Sequence, residues 1–236
     1  MKVCALSVIL LCVTVYAQSD VSGAQTPAKL NWGIKGGINF AKLAGDHFEE
    51  SETDFNPGIV IGLFSERSVN ETFSVQWELL YTMKGVSQNY SESFSDEFSE
   101  YEYSTEVDLN FNYIEVPVSF RFKFPTGSGF TPSFYVGGAA AVNVKAEADF
   151  KIKYYEYYND GIYFYEYTQN DSGRDDLNDV SQLELGLIFG IGINVPLQNG
   201  ILLFDGRYNH GLTSLVNEGD SNVYNRVWSL SVGYGL

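Results

Sequence analysis

The stretch Tyr113-Ile114-Glu115-Val116-Pro117-Val118-Ser119-Phe120-Arg121-Phe122-Lys123-Phe124 alternates without a break. Ile114, Val116, Val118, Phe120, Phe122 and Phe124 fall on one side, and Tyr113, Glu115, Pro117, Ser119, Arg121 and Lys123 on the other. A period of two with unlike sides is the mark of a β-strand that separates two environments. A soluble barrel turns the apolar side inward as its core. A membrane barrel turns it toward lipid and fills a narrow lumen with the polar side. The choice between these two orientations decides the function class.

Six more segments alternate in the same way, and a seventh is strand-like without a polar side. Trp32, Ile34, Ile38 and Phe40 oppose Lys35, Gly37, Asn39 and Ala41; Phe73, Val75, Trp77, Leu79 and Tyr81 oppose Ser74, Gln76, Glu78, Thr82 and Lys84. Phe134, Val136, Ala140, Val142 and Val144 oppose Gly137, Ala139, Ala141, Asn143 and Lys145, and Leu183, Leu185, Leu187, Phe189, Ile191 and Ile193 oppose Glu184, Gly186, Gly190, Gly192 and Asn194. Leu202, Phe204 and Tyr208 oppose Asp205, Arg207 and Asn209, and Trp228, Leu230, Val232 and Tyr234 oppose Ser229, Ser231 and Gly233. The segment 56–69 is apolar on both sides and leaves its own facing, and that of Glu66, open.

Glycine and serine crowd the polar side. On a solvated outer wall interior glycine only weakens a strand, whereas an eight-stranded barrel has an interior just wide enough for side chains to fill. The bulky side carries more Trp, Phe, Leu and Ile than such an interior holds. It therefore faces lipid, and the expected fold is all-β, an eight-stranded antiparallel up-and-down transmembrane β-barrel. Nine charges are then expected to form a paired network in the lumen: Lys35, Glu78, Lys84, Glu115, Arg121, Lys123, Glu184, Asp205 and Arg207, because a charge enclosed away from water needs a partner.

The connections alternate in length, as they do in outer-membrane barrels with long extracellular loops and short periplasmic turns. The long ones are 44–55, 88–108, 154–180 and 211–222. Together they hold 21 of the 30 acidic residues and one base, Arg174. Within the third, the residues from Tyr154 to Tyr167 are nearly palindromic about Asp160-Gly161, a strong hairpin signal. Its tyrosines Tyr154, Tyr155, Tyr157, Tyr158, Tyr163, Tyr165 and Tyr167 are the candidate interaction surface, read as a hairpin standing beyond the barrel wall.

The chain of 236 residues, 44% hydrophobic and 16% aromatic, suits one domain. A formal charge of −16 disfavours nucleic acid as a partner. Met1-Lys2, the apolar run Val3–Tyr16 and the small Ala17 read as a secretory signal peptide over 1–17. A polar lead over 18–31 and a barrel domain over 32–236 follow. Both cysteines, Cys4 and Cys12, lie in the signal, so disulfides, thiolate metal sites and cysteine catalysis are not expected in the mature chain. His47 and His210 offer a hydrolytic pair with Asp205 or loop carboxylates only in principle, since no nucleophile or third partner accompanies them at a defined spacing. The acidic loops offer carboxylates to divalent cations, yet no D-x-D-x-D-G ligand run is present. No cofactor is expected, and the expected partners are the lipid bilayer and an extracellular or envelope protein.

Five runs carry a family resemblance: Gly33-Ile34-Lys35-Gly36-Gly37-Ile38-Asn39; Pro57-Gly58 with Gly62; Gln76-Trp77-Glu78-Leu79-Leu80-Tyr81 closing on Lys84-Gly85; Tyr113-Ile114-Glu115-Val116-Pro117; and Arg207-Tyr208-Asn209 with Gly211-Leu212. In this order they resemble the PorT-like outer-membrane β-barrel family of Bacteroidetes-type bacteria, over about 32–236. The resemblance implies a bacterial outer-membrane location and brings no catalytic residues. The expectation is a non-enzymatic barrel with a structural or surface-interaction role; a small-solute porin and a soluble ligand-binding barrel are the alternatives.

Overall fold

The computed structural model describes residues 30–45, 54–127, 129–159, 163–177, 180–216 and 222–236. The expected signal peptide, most of the polar lead and His47 lie outside these residues.

Nine antiparallel strands follow in order: β1 (Leu30–Gly45), β2 (Asp54–Ser68), β3 (Phe73–Ser95), β4 (Ser99–Lys123), β5 (Thr131–Asn159), β6 (Phe164–Asp176), β7 (Leu183–Leu197), β8 (Gly200–Gly211) and β9 (Val223–Gly235). Eight of them close a ring in the sequence β1-β2-β3-β4-β5-β7-β8-β9, sealed by β1 against β9. Closure leaves no open edge within the ring, which lets strands cross a membrane. The ninth, β6, pairs only with the far half of β5, above β7, through Glu147↔Asp176 to Asn159↔Phe164.

Bulky apolar residues form an outward-facing belt on the ring strands. Trp32 is 57% exposed, Ile61 58%, Phe120 48%, Ile191 70% and Leu230 59%. A soluble protein does not leave a continuous belt of this kind in water. The polar alternates are buried: Arg121 0%, Lys84 1%, Lys35 4%. Strand two, undecided in the sequence, turns Val60, Phe64 and Glu66 inward and Ile59, Ile61 and Leu63 outward.

Besides a register shift of β2 against β3 between Asn56 and Val60, three local features bear on the site. The segments 88–108 and 154–180 are not loops for most of their length. β3 and β4 stay paired from Gln88↔Val107 to Ser95↔Glu100, and β5 and β6 continue beside them. The four strands form a wing that stands beyond the barrel rim. Secondly, β5 advances two residues for one of β4 between Asn112↔Lys145 and Tyr113↔Asn143, a bulge at Val144. A bulge reverses which side chains face in, so Lys145 lies outside beside Glu147 at 2.7 Å rather than on the lumen side. Thirdly, Pro117 makes no bulge. The β3–β4 ladder lapses between Trp77↔Val118 and Leu80↔Glu115 and resumes in the same register, while Pro117 stays opposite Ala139 of β5. Its missing N–H costs a ladder bond and nothing in register.

Candidate functional site: a filled lumen and an external wing

The lumen holds its charges in three tiers. In the middle tier, the two carboxylate oxygens of Asp205 meet Lys35 at 3.1 Å and Arg121 at 3.2 Å. Glu78 meets Arg207 at 2.5 Å and Lys35 at 3.3 Å. Tyr135 ties the tier together: its hydroxyl donates to Asp205 at 3.0 Å and accepts from Nε of Arg207 at 3.1 Å. The guanidinium of Arg121 lies over the Tyr135 ring, 4.5 Å from its centroid, a cation–π contact within a desolvated site.

Toward the wing, Lys84 meets Glu184 at 2.6 Å and Glu115 at 3.2 Å, over the ring of Tyr113 at 4.6 Å. Asn225 donates to the second oxygen of Glu184 at 2.7 Å. Toward the short turns, Lys123 meets Glu66 at 2.9 Å and also donates to Ser68. Five cations thus face five anions, and all nine expected lumen charges lie inside, joined by Glu66. Tyr135 and Tyr113 complete the tiers; their signal was positional, since both sit in phase with the inward residues of their strands.

Small residues on β7 create the room. A Cβ on Gly192 would lie 2.5 Å from a guanidinium nitrogen of Arg121, and one on Gly186 would lie 2.4 Å from Oδ1 of Asn209. Between the middle and wing-side tiers lies a cavity of about 20 Å³, bordered by Thr82, Lys84, Glu115 and Ser229. That holds on the order of one water. Above the upper tier, Leu43, Val86, Phe111, Leu215 and Val223 pack into an apolar cap.

The wing has two unlike faces. Residues opposite one another across antiparallel strands share a face, so the rows Phe94-Tyr101-Glu156-Tyr167, Glu92-Tyr103-Tyr154-Gln169 and Tyr90-Thr105-Ile152-Asp171 lie together. This inner face continues the lumen side of the wall, through Val86, Leu109 and Ala148. Tyr101 and Tyr154 lie 5.8 Å apart, Tyr154 and Tyr167 6.0 Å. The outer face carries Glu106 with Lys151 at 3.3 Å and Asp149 with Arg174 at 2.5 Å. The seven expected tyrosines therefore do not form one surface. Tyr154, Tyr158, Tyr165 and Tyr167 are inner, Tyr155 and Tyr157 are outer, and Tyr163 precedes β6 at 70% exposed.

Electrostatics on the wing follow the hydrogen bonds. Glu156 accepts from Tyr154 at 2.7 Å and from Tyr165, which holds its carboxyl below the usual range. The same bond pushes Tyr154 up to about 12. Arg174 holds Asp149 below the usual range in the same way.

Over residues 16–217 the sequence matches the family described as the outer membrane protein beta-barrel domain. The chain belongs to that family. It is a bacterial outer-membrane barrel in its family and its lipid-facing wall. No curated protein matches the sequence significantly. Among solved structures, this outer-membrane barrel is similar to Ail, the attachment invasion locus protein of Yersinia pestis, at 14% identity over 88% of this chain and 99% of that one, TM-score 0.38. It is also similar to Neisserial surface protein A, at 14% identity over 87% and 96%, TM-score 0.41, and to OprG from Pseudomonas aeruginosa, at 12% over 89% and 97%, TM-score 0.40.

The barrel's remaining sequence candidates do not converge. His210 lies opposite Leu187, on the outward phase, and its Nδ1 is 3.4 Å from the Tyr208 hydroxyl. Asp205 points the other way, into the lumen, so the two form no pair. Among the described residues, no three His, Cys, Asp or Glu side chains gather as a metal site.

Proposed function

We propose that this outer-membrane barrel is closed to solutes, carries out no reaction, and works through its wing on the cell exterior as a structural or surface-interaction component. One contrast carries the reading. The lumen is filled by paired charges around a cavity of about 20 Å³, whereas the wing leaves Tyr90, Phe94 and Tyr167 at 57%, 57% and 48% exposed. A surface of rigid aromatic side chains loses little entropy when it is covered, which suits recognition.

In this reading residues 1–17 direct export and are removed, 18–31 form a polar lead in the periplasm, and 32–236 are the barrel domain. The five motif runs support a PorT-like member. One feature favours a porin, a recess of about 190 Å³ at the short-turn end lined by Asn31, Thr131 and Asn194. It stops at the Glu66–Lys123 pair, with the middle tier above it.

Two measurements test the proposal. Planar-bilayer recordings of the purified barrel should show no steady conductance, and stable openings would restore the porin reading. A cysteine at Ser93 should react with an impermeant reagent on intact cells, and one at Gln198 should not; the reverse pattern would put the wing in the periplasm.

A further inference from the structure

The two faces of the wing carry a similar net negative charge by register but arrange it differently, mixed with bases on the outer face and unmixed on the inner. Every Lys and Arg of the described wing, namely Lys145, Lys151, Lys153 and Arg174, falls on the outer face by register. There they neutralise neighbouring acids: Lys145 with Glu147, Lys151 with Glu106, Arg174 with Asp149. The inner face holds Glu92, Glu156, Asp171 and Asp175 and, among the described residues, no base. Two of its carboxylates are held by hydroxyls instead, Glu156 by Tyr154 and Tyr165, and Glu92 beside Tyr90. A hydroxyl orients a carboxylate without cancelling its charge.

Aromatic rings with carboxylates between them and no cation present make a surface complementary to cations. A guanidinium stacks on a tyrosine face through the ring quadrupole while an adjacent carboxylate takes its N–H groups. An anionic partner would be repelled. A neutral one would give no reason for every base to be placed on the opposite side. The formal charge of −16 adds long-range attraction for a basic partner.

We infer that the inner face of the wing is the docking surface for a basic polypeptide, whose Arg and Lys side chains stack on Tyr101, Tyr103, Tyr154 and Tyr167 and pair with Glu156 and Glu92. The inference rests on the wing being the interacting part of the protein and names the class of partner it takes.

The test uses the full chain in lipid nanodiscs and three fluorescent probes: an oligo-arginine peptide, an oligo-glutamate peptide and a neutral malto-oligosaccharide. Oligo-arginine should bind, more weakly as salt rises, and the other two should not. Joint replacement Tyr101→Ser and Tyr154→Ser should weaken oligo-arginine binding about tenfold, the combined worth of two exposed cation–π contacts. The matched outer pair Tyr155→Ser and Tyr157→Ser should leave it within about twofold. Tyr154→Phe, which keeps the ring, should bind nearly as the parent does, and that separates lost stacking from a damaged wing. Absent oligo-arginine binding, or equal loss from the two faces, would overturn the inference, the second by showing attraction to net charge alone. Capture of the oligosaccharide on the inner face would overturn the basic partner and leave the wing's interaction role standing. Steady conductance in bilayers would remove that role by an independent route.

Discussion

Gly190 lies where the ring of Tyr135 passes: a Cβ on Gly190 would stand 2.2 Å from Cζ of that ring. The missing side chain on β7 is the space that the tyrosine of β5 fills, and through Tyr135 it positions Asp205 and Arg207. Gly190→Ala should therefore displace the ring and loosen the middle tier. The expected loss is about 1–3 kcal/mol, the range for overpacking a filled interior. Gly138→Ala is the control, since a Cβ there finds its nearest neighbour at 3.7 Å, ordinary contact. Urea titration of the folded barrel in vesicles should separate the two variants; equal midpoints would show that Tyr135 has room to yield.

Removing one member of an enclosed charge network leaves its neighbours under-compensated, even where Asp205 keeps Lys35 and Tyr135. Arg121→Ala takes a fully buried guanidinium from Asp205, which keeps Lys35, and should cost on the order of 3 kcal/mol, the low end for breaking a buried pair. Lys123→Ala should cost less, because the Lys123 side chain is 12% exposed at the short-turn mouth, where water reaches the orphaned Glu66. The same urea titration reads both. A smaller loss for Arg121→Ala than for Lys123→Ala would mean that the middle tier is hydrated.

Much of this arrangement was legible in the alternation of single strands. The run 113–124 separates Phe120 from Arg121 by parity alone, and glycine on the polar side of β7 already signals a filled interior. Strand two was not legible because both of its phases are apolar until Glu66, and only the approach of Lys123 from β4 fixes it. The wing was hidden by its charge. Tyr101 and Tyr103 alternate with Glu100 and Glu102 in a strand-like period, but seven acids without a base read as solvated loop. The bulge at Val144 was not legible at all. It depends on β5 outrunning β4 by one residue, a relation between two strands, and it decides which set of tyrosines in the 154–167 tract turns inward.

Acid should loosen the β5–β6 hairpin. Asp149 is held low by Arg174, with Asn110 and Lys151 adding to the effect, and Glu156 is held low by Tyr154 and Tyr165. A carboxyl whose folded value lies below its unfolded value contributes stability above the unfolded value and loses it as pH falls through the folded one. The hairpin should accordingly be firm at neutral pH and open as pH drops below the ordinary carboxylate range of about 4. Hydrogen exchange of the β6 amides, compared at neutral and acid pH with the ring strand β8 as reference, measures this. Uniform protection of β6 across that range would show that the ladder, not the carboxylates, holds it.

The orientation of the wall supports every other conclusion, and stability measurements cannot test it, since Arg at a lipid-facing or a core position damages either kind of barrel. Accessibility can. Leu187 is 41% exposed on the outward phase of β7, and Ser119 is 1% exposed on the inward phase of β4. A nitroxide on a cysteine replacing Leu187 should collide with lipid-soluble oxygen far more often than with a water-soluble nickel complex. One replacing Ser119 should be shielded from both, because the packed tiers admit neither reagent. Strong collision of the Leu187 label with nickel would place the bulky face in water, and free access of nickel at Ser119 would mean that the lumen is an aqueous path. The first result would return the molecule to the soluble class, the second to the porins.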